Sequence, residues 1–372
     1  MRQPTTDNRQ PFSRRTNWNP TTNRITAARQ RRGAEILDLT ESNPTRAAID
    51  YPLDELSEIF ERAARAPYTP DPRGLRSARE ALGGDVILTA STSEAYSFLF
   101  KLLCDPGDEI ATAIPSYPLL EHLSALESVN VRPFALEFHR RWEIDAARVR
   151  DAITSRTRAI VAVNPNNPTG SFVSADEQAA LAPLRLPVIS DEVFLDYPLD
   201  ARGSTFVRDD VLTFTLGGLS KSAGLPQYKL GWIRVNGPGK EEALAALELI
   251  ADNFLSVATP VQIALPEILG IAPRIRDSIA ARTRRNLAHL RSAAQKSTSV
   301  LPVEGGWSAV LRVPTTESDE DLAVRLIEQH GVAVHPGYFF DFHADGYVVV
   351  SLLTQPATFD EGVRRLMQAL PQ

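Results

Sequence analysis

Between about residue 50 and residue 240, short apolar runs alternate with stretches whose apolar positions recur at helical spacing. The runs are Val86–Leu88, Ile110–Ile114, Ala159–Val163, Pro187–Ile189, Val211–Leu216 and Leu230–Val235, and β-branched residues are common in them. Short apolar runs rich in such residues predict buried strands, and several are separated by enough chain for a helix. The pattern therefore predicts an α/β layered domain around a largely parallel sheet. Helical patterns follow at Lys240–Phe254 and Arg274–Gln295. The remaining chain reads strand, helix, strand, strand, helix at Trp307–Val313, Asp319–Gln329, Val332–His335, Tyr347–Leu353 and Phe359–Leu370. That tail has its own strands and helices, which predicts a second, smaller α/β domain. The expected division is a large domain over residues 48–255 and a small domain from residues 31–47 together with 256–372. Residues 1–30 are rich in Asn, Thr, Pro and Arg without usable periodicity and predict a flexible arm, either a free tail or one that orders against a partner subunit.

Composition narrows the function classes. A chain of 372 residues suggests two or three domains and buries a large core without disulfides or metals. The net charge of −6 argues against a polyanion-binding surface, so no nucleic-acid partner is expected. Cys104 is the single cysteine and cannot form an internal disulfide, which points to a reducing cytoplasm. No apolar stretch approaches the ~20 residues of a membrane span, and the polar, Arg-bearing start lacks the apolar segment of a secretory signal. The six histidines are scattered without metal-ligand spacing, so no metal is expected.

In an open α/β sheet, ligands sit beyond the carboxyl ends of the strands. Past Val86–Leu88 comes Thr89-Ala90-Ser91-Thr92-Ser93-Glu94, followed by an apolar helical pattern. Ser91 and Glu94 have capping-box spacing, and the same hydroxyls and free amides suit a phosphate. Past Ala159–Val163 comes Asn164-Pro165-Asn166-Asn167-Pro168-Thr169-Gly170, a fixed loop carrying amides. Past Pro187–Ile189 comes Ser190-Asp191-Glu192-Val193-Phe194, an acidic pair that is costly to bury without a cation or donors. Past Val211–Leu216 comes Gly217-Gly218-Leu219-Ser220-Lys221-Ser222. Lysine occurs only at positions 101, 221, 229, 240 and 296 in a chain otherwise served by arginine. An amine kept after an apolar strand invites imine chemistry, which arginine cannot perform. Each loop alone also has an ordinary structural reading, as capping, turn or surface charge. Together they supply a phosphate cradle, an amide, a carboxylate and an amine, the set a pyridoxal 5′-phosphate site requires.

At this point the sequence resembles the fold-type I, class I/II aminotransferase family. The resemblance rests on Tyr68-Thr69-Pro70-Asp71-Pro72-Arg73-Gly74, Pro115-Ser116-Tyr117-Pro118, Asn164–Gly170, Ser190–Phe194, and Ser220-Lys221 through Gly231-Trp232, in the family's order. It implies a three-layer α/β/α large domain that binds the cofactor, and amino transfer between an amino acid or related amine and a 2-oxo acid. The resemblance assigns Lys221 as the Schiff-base lysine, Asp191 to the pyridine nitrogen, Asn167 to the ring hydroxyl and Tyr117 to the ring face. Ser91, Thr92 and Ser93 match the phosphate loop, Ser220 adjoins it, and Tyr68 matches a residue that reaches the phosphate of the neighbouring subunit. A homodimer with shared active sites follows.

Several positions depart from the family pattern. Phe194 stands where a tyrosine usually bonds the ring hydroxyl, Lys229 where an arginine usually binds phosphate, and Gly218 where a serine is common. Val349 falls where the family carries the arginine that clamps the substrate carboxylate. Arg46, after Glu41-Ser42-Asn43-Pro44-Thr45, is the substitute cation, with Asn43 beside it; the other reading of Arg46 is an exposed loop charge. Tyr338, within Pro336–Phe340, is expected near the mouth of the site, and Trp307 in the core. The connections Leu75–Asp85 and Leu181–Leu186 are short for the family. A β-eliminating lyase or cyclising synthase on the same site, and a non-catalytic effector-binding module, are the rival readings.

Overall fold

The computed structural model describes residues 13–15, 21–33 and 35–371. Its central sheet has seven strands: β1 (Val86–Thr89), β2 (Glu109–Ile114), β3 (Asn130–Ala135), β4 (Thr157–Val163), β5 (Val188–Asp191), β6 (Thr213–Gly218) and β7 (Gly231–Asn236). They lie in the order β1-β7-β6-β5-β4-β2-β3. Only β7 runs antiparallel to its neighbours; the other pairs are parallel. Strands β1 and β6 are buried along their whole length, as a sheet covered on both faces requires. On one face Ile87, Val161, Phe214 and Ile233 pack against Phe98 and Leu99 of helix Thr92–Leu103 and Leu244 and Leu247 of helix Lys240–Asp252. On the other, Ile160 and Val188 meet Val149, Leu181 and Phe206. The result is the expected helix–sheet–helix sandwich.

A second, antiparallel sheet follows: β8 (Ser299–Val300), β9 (Ser308–Arg312), β10 (His335–Pro336) and β11 (Tyr347–Ser351), in the order β8-β9-β11-β10. Helix Pro356–Ala369 covers it with Phe359, Val363 and Leu366. Leu37–Asp38 pairs in parallel with Val332–Ala333 and ties the early chain to this unit.

Two parts differ from the sequence expectation. Within the predicted arm, Arg24–Arg32 forms a helix whose Ile25 and Ala28 are buried with Leu322, Leu326 and Ile327. Arg24 reaches Glu320 and Asp321 at 2.8 and 2.6 Å, so this end of the arm folds onto its own chain. The polar composition hides the helix because only a narrow stripe is apolar. Residues 1–12 and 16–20 of the predicted arm lie outside the described residues. The predicted helix at Arg274 in fact begins at Thr259 and continues to Ala293, with Pro266 and Pro273 inside it. Proline lacks an amide donor and reads as a breaker. Here the apolar face holds the helix together across both prolines, with Leu265, Ile268, Ala272, Ile275 and Ile279 in one core and Leu287 and Leu290 in the other. The short connections are filled economically, Leu75–Asp85 by the six-residue helix Arg76–Ala81 and Leu181–Leu186 by the three-residue 3-10 turn Ala182–Leu184.

Candidate active site

The carboxyl ends of β1, β4, β5 and β6 open onto a cavity of about 1100 Å³, its mouth included. Asp191 is the last residue of β5 and projects into this space. Its Oδ1 accepts from the Val193 amide at 3.2 Å, and its Oδ2 accepts from the Tyr96 hydroxyl at 3.0 Å. Burial pushes the Asp191 carboxyl above the usual carboxylate range, while those two donors and the Lys221 charge pull it back.

Lys221 sits on the single turn Leu219–Ser222 immediately after β6. That turn is fixed at both ends: the Leu219 amide donates to the Leu230 carbonyl, and the Ser222 hydroxyl donates to the Gly218 carbonyl at 2.9 Å. The Tyr197 hydroxyl donates to the Lys221 carbonyl at 2.6 Å. The Lys221 amine lies 5.2 Å from the Trp307 ring centre and 5.7 Å from that of Phe194. Burial holds this amine below the ordinary lysine range, against the opposing pull of Asp191. A lysine so placed is more readily the neutral nucleophile. Among the described residues no ion pair joins Lys221 to Asp191, although both face the one cavity.

The third wall is the start of helix Thr92–Leu103. The Ser91 hydroxyl accepts from the Glu94 amide at 3.2 Å, so it serves as the cap and Ser91 does not line the cavity. Thr92 and Ser93 do line it and bring the first amides of the helix, where the helix dipole favours an anion. The Glu94 carboxylate accepts from the Ala90 amide and the Ser256 hydroxyl, both at 2.6 Å, and fixes the turn. Gly231 of β7 passes beneath; a Cβ there would lie 3.0 Å from the Ser91 carbonyl carbon and 3.1 Å from the Thr92 nitrogen. Only glycine lets the strand run that close.

In the loop after β4, Asn166 is tied down by its own bonds to the Pro115 carbonyl and Thr169, and Asn164 by bonds to the Ser204 carbonyl and the Val173 amide. Asn167 faces the cavity. Its Oδ1 accepts from the Ser308 hydroxyl at 3.3 Å, which leaves Nδ2 as the donor toward a ligand. Tyr117, Phe194 and Ser220 complete the wall, with Ser42, Trp307, Ser308 and Ser351 opposite.

Of the residues expected from the sequence, the cavity thus gathers Lys221, Asp191, Asn167, Tyr117, Phe194, Ser220, Thr92 and Ser93. The others lie elsewhere. Tyr68 is 67% exposed and borders a shallow outer groove with Leu255. Lys229 is exposed, at a positive φ of 48°. Arg46 is 77% exposed and lies 3.4 Å from Glu41. Asn43 accepts from the Thr45 amide and hydroxyl and caps its own turn. The Tyr338 hydroxyl donates to Glu320 at 3.2 Å. Val349 is buried with Val310, Phe340 and Phe342, and Lys221 is the single cation among the described residues lining the cavity.

Tyr96, Ser42, Ser308 and Ser351 were not legible as site residues. Tyr96 falls on the helix stripe with Phe98, Leu99 and Phe100 and reads as core. The three serines come from a loop and two strands far apart in sequence, and no local motif marks them. Trp307 is both core and wall: it is buried, and it packs edge-on against Phe194 and Tyr197 at 5.2 and 5.0 Å.

Comparison with known proteins agrees with this arrangement. The chain is 28% identical over 361 residues to an alanine aminotransferase of Mycobacterium bovis, covering 88% of this chain and 83% of the relative. It is 26% identical over 370 residues to a glutamate-pyruvate aminotransferase of Haemophilus influenzae, covering 91% of each. The fold superposes on an alanine aminotransferase from Pyrococcus furiosus with a TM-score of 0.84 at 22% identity, over 92% of this chain and 95% of that one. An aspartate aminotransferase variant from Thermus thermophilus gives 0.85 at 24% identity, over 97% and 100%. The family model for aminotransferase class I and II matches residues 68–366, which is most of the chain and spans every wall of the cavity except Ser42. The chain therefore belongs to the class I and II aminotransferases, and it is an enzyme of amino-group transfer.

Proposed function

We propose that the enzyme holds pyridoxal 5′-phosphate on Lys221 and moves an amino group between an amino acid and a 2-oxo acid. The observation that carries this is the gap in the cavity: a buried amine and a buried carboxylate face the same space without pairing. An aromatic cofactor with an aldehyde and a ring nitrogen satisfies both. Its remaining groups find partners in kind, the phosphate at the Thr92 and Ser93 amides and the ring oxygen at Asn167 Nδ2, with the Tyr117 ring beside them. When bound, pyridoxal phosphate supplies an electron sink for the pair left on the substrate carbon.

The chain's own groups do the rest. Asp191 keeps the proton on the ring nitrogen. As a free amine, Lys221 Nζ would take the proton from the substrate's reacting carbon and hold it within the cavity for return. Trp307 and Phe194 wall off the amine from bulk water, and that burial favours its neutral form.

The names of the relatives make alanine and glutamate the first donors to test, with pyruvate as first acceptor. Arg46 remains our candidate for the substrate carboxylate, because it ends the turn that follows Ser42, which faces the cavity. Swinging Arg46 inward would exchange the exposed Glu41 pair, worth little in water, for a dry one. We place the enzyme in the cytoplasm as a homodimer. Tyr68 and Leu255, at 67 and 37% exposure, border one groove, and Phe254, at 51%, is the chain neighbour of Leu255; a second copy would cover this apolar surface.

The test is a donor screen with both products measured. Transamination predicts one oxo acid formed per amino acid formed. Ammonia and oxo acid without a new amino acid would overturn it in favour of elimination.

A further inference from the structure

We propose that Tyr96 is a positioning residue for the reaction: its phenol keeps the Asp191 carboxylate ionised and aimed, and so sets how firmly a bound pyridine cofactor keeps its ring proton. The inference rests on the reading that Lys221 carries pyridoxal phosphate.

The geometry is specific. Tyr96 lies in the second turn of helix Thr92–Leu103, is 6% exposed, and donates to Asp191 Oδ2 at 3.0 Å. The other groups facing that carboxylate are the Val193 amide on Oδ1 at 3.2 Å, the Lys221 amine and the Tyr117 hydroxyl. Burial holds the Lys221 amine below the ordinary lysine range. Helix neighbours Ala95, Phe98, Leu99 and Phe100 are buried and apolar, and the Tyr96 ring contacts Phe100 at 5.9 Å. Phenylalanine would meet every packing demand at this position. A buried hydroxyl is costly unless bonded, and this one is bonded to the carboxylate alone.

The chemistry follows from what each group can donate. Burial and the adjacent carboxylate hold the Tyr96 proton in place, so the phenol can only donate. A donor stabilises the ionised carboxylate and not its protonated form. Burial otherwise drives Asp191 toward the neutral acid, which would hand a neutral pyridine a hydrogen bond in place of accepting one from a pyridinium. Tyr96 tips that balance toward the charged pair.

The test compares wild type with Tyr96→Phe, alone and in an Asp191→Asn background, using pyridoxal 5′-phosphate as the probe. Loss of the ring proton makes the lysine-bound cofactor more basic. The pKa of its visible absorption band therefore rises in Tyr96→Phe by about one unit, and the apoprotein binds the cofactor on the order of tenfold more weakly. Neither change appears when Tyr96→Phe is added to Asp191→Asn, because the side-chain amide carries no charge for the phenol to stabilise. Replacing Tyr96 by 3-fluorotyrosine, a stronger donor of the same shape, moves the band pKa the opposite way and serves if Tyr96→Phe folds poorly. A well-folded Tyr96→Phe with band pKa and cofactor affinity unchanged would overturn the proposal, as would equal shifts with and without Asp191. A wild-type chain that takes up no pyridoxal phosphate removes the reading beneath it, and the inference with it.

Discussion

Phe194 stands beside Lys221 and brings no hydroxyl to the ring oxygen of a cofactor, which leaves Asn167 as the donor on that side. Restoring a phenol with Phe194→Tyr adds a donor to the ionised ring oxygen. The visible band should then titrate at lower pH, by about half a unit to one unit, in a spectrophotometric titration. An unmoved titration would mean that residue 194 does not face the ring. Lys221 itself gives a second prediction. Burial makes its amine in the folded apoprotein titrate below the ordinary lysine value of 10.5. Between that lowered value and 10.5 the unfolded chain binds more protons than the folded one, so stability rises with pH across the window. Lys221→Met removes this contribution, and urea unfolding of the apoprotein between pH 7 and 10 should show a flatter dependence on pH than wild type. For Arg46, the expectation is a kinetic split: Arg46→Ala raises the KM for an amino acid about tenfold or more while kcat changes little, as loss of uniform binding requires. A KM that does not move would remove Arg46 from the site.

At the scale of elements, the long helix Thr259–Ala293 contributes to two core clusters, and Asn286 fixes it to the chain just past β11 of the antiparallel sheet. Asn286 is fully buried and donates through Nδ2 to the carbonyls of Leu352 and Thr354 at 2.8 and 2.7 Å. Asn286→Leu leaves two buried carbonyls without a donor and should cost about 2–3 kcal/mol in urea unfolding. The same scale separates what the sequence discloses from what it conceals. Strands β1, β2 and β4–β6 are legible because both faces are largely buried and β-branched residues are common in them, and β7 because Ile233 and Val235 are buried in alternation with half-buried positions. Strand β3 is not, because it is the sheet edge: Arg132 and Pro133 face outward, and proline is tolerated only where no ladder amide is needed. The first part of the long helix is hidden by Pro266 and Pro273. In the site, Lys221, Asp191 and Asn167 are legible because each follows a strand in a local motif. Tyr96 and Ser308 are not, because their importance lies in contacts to Asp191 and Asn167 that only the tertiary fold creates.

For the whole molecule, this chain brings an amine, a carboxylate and a helix start to one cavity, while Tyr68 borders a groove outside it. An exposed tyrosine in a groove with Leu255 has a physical purpose if a second copy covers it. Light scattering should give twice the 40.9 kDa chain mass, and the charged substitution Phe254→Asp should shift the protein toward monomer with loss of transfer activity. A monomeric wild type with full activity would contradict the shared-site arrangement. The expectations for Phe194 and Arg46 depend on where the cofactor is attached. The most direct test is to reduce the holoenzyme with borohydride, digest it and map the pyridoxyl-phosphate mass increment. The account predicts a single modified peptide, bearing Lys221 and absent from Lys221→Ala; an increment on another lysine, or none, would contradict it.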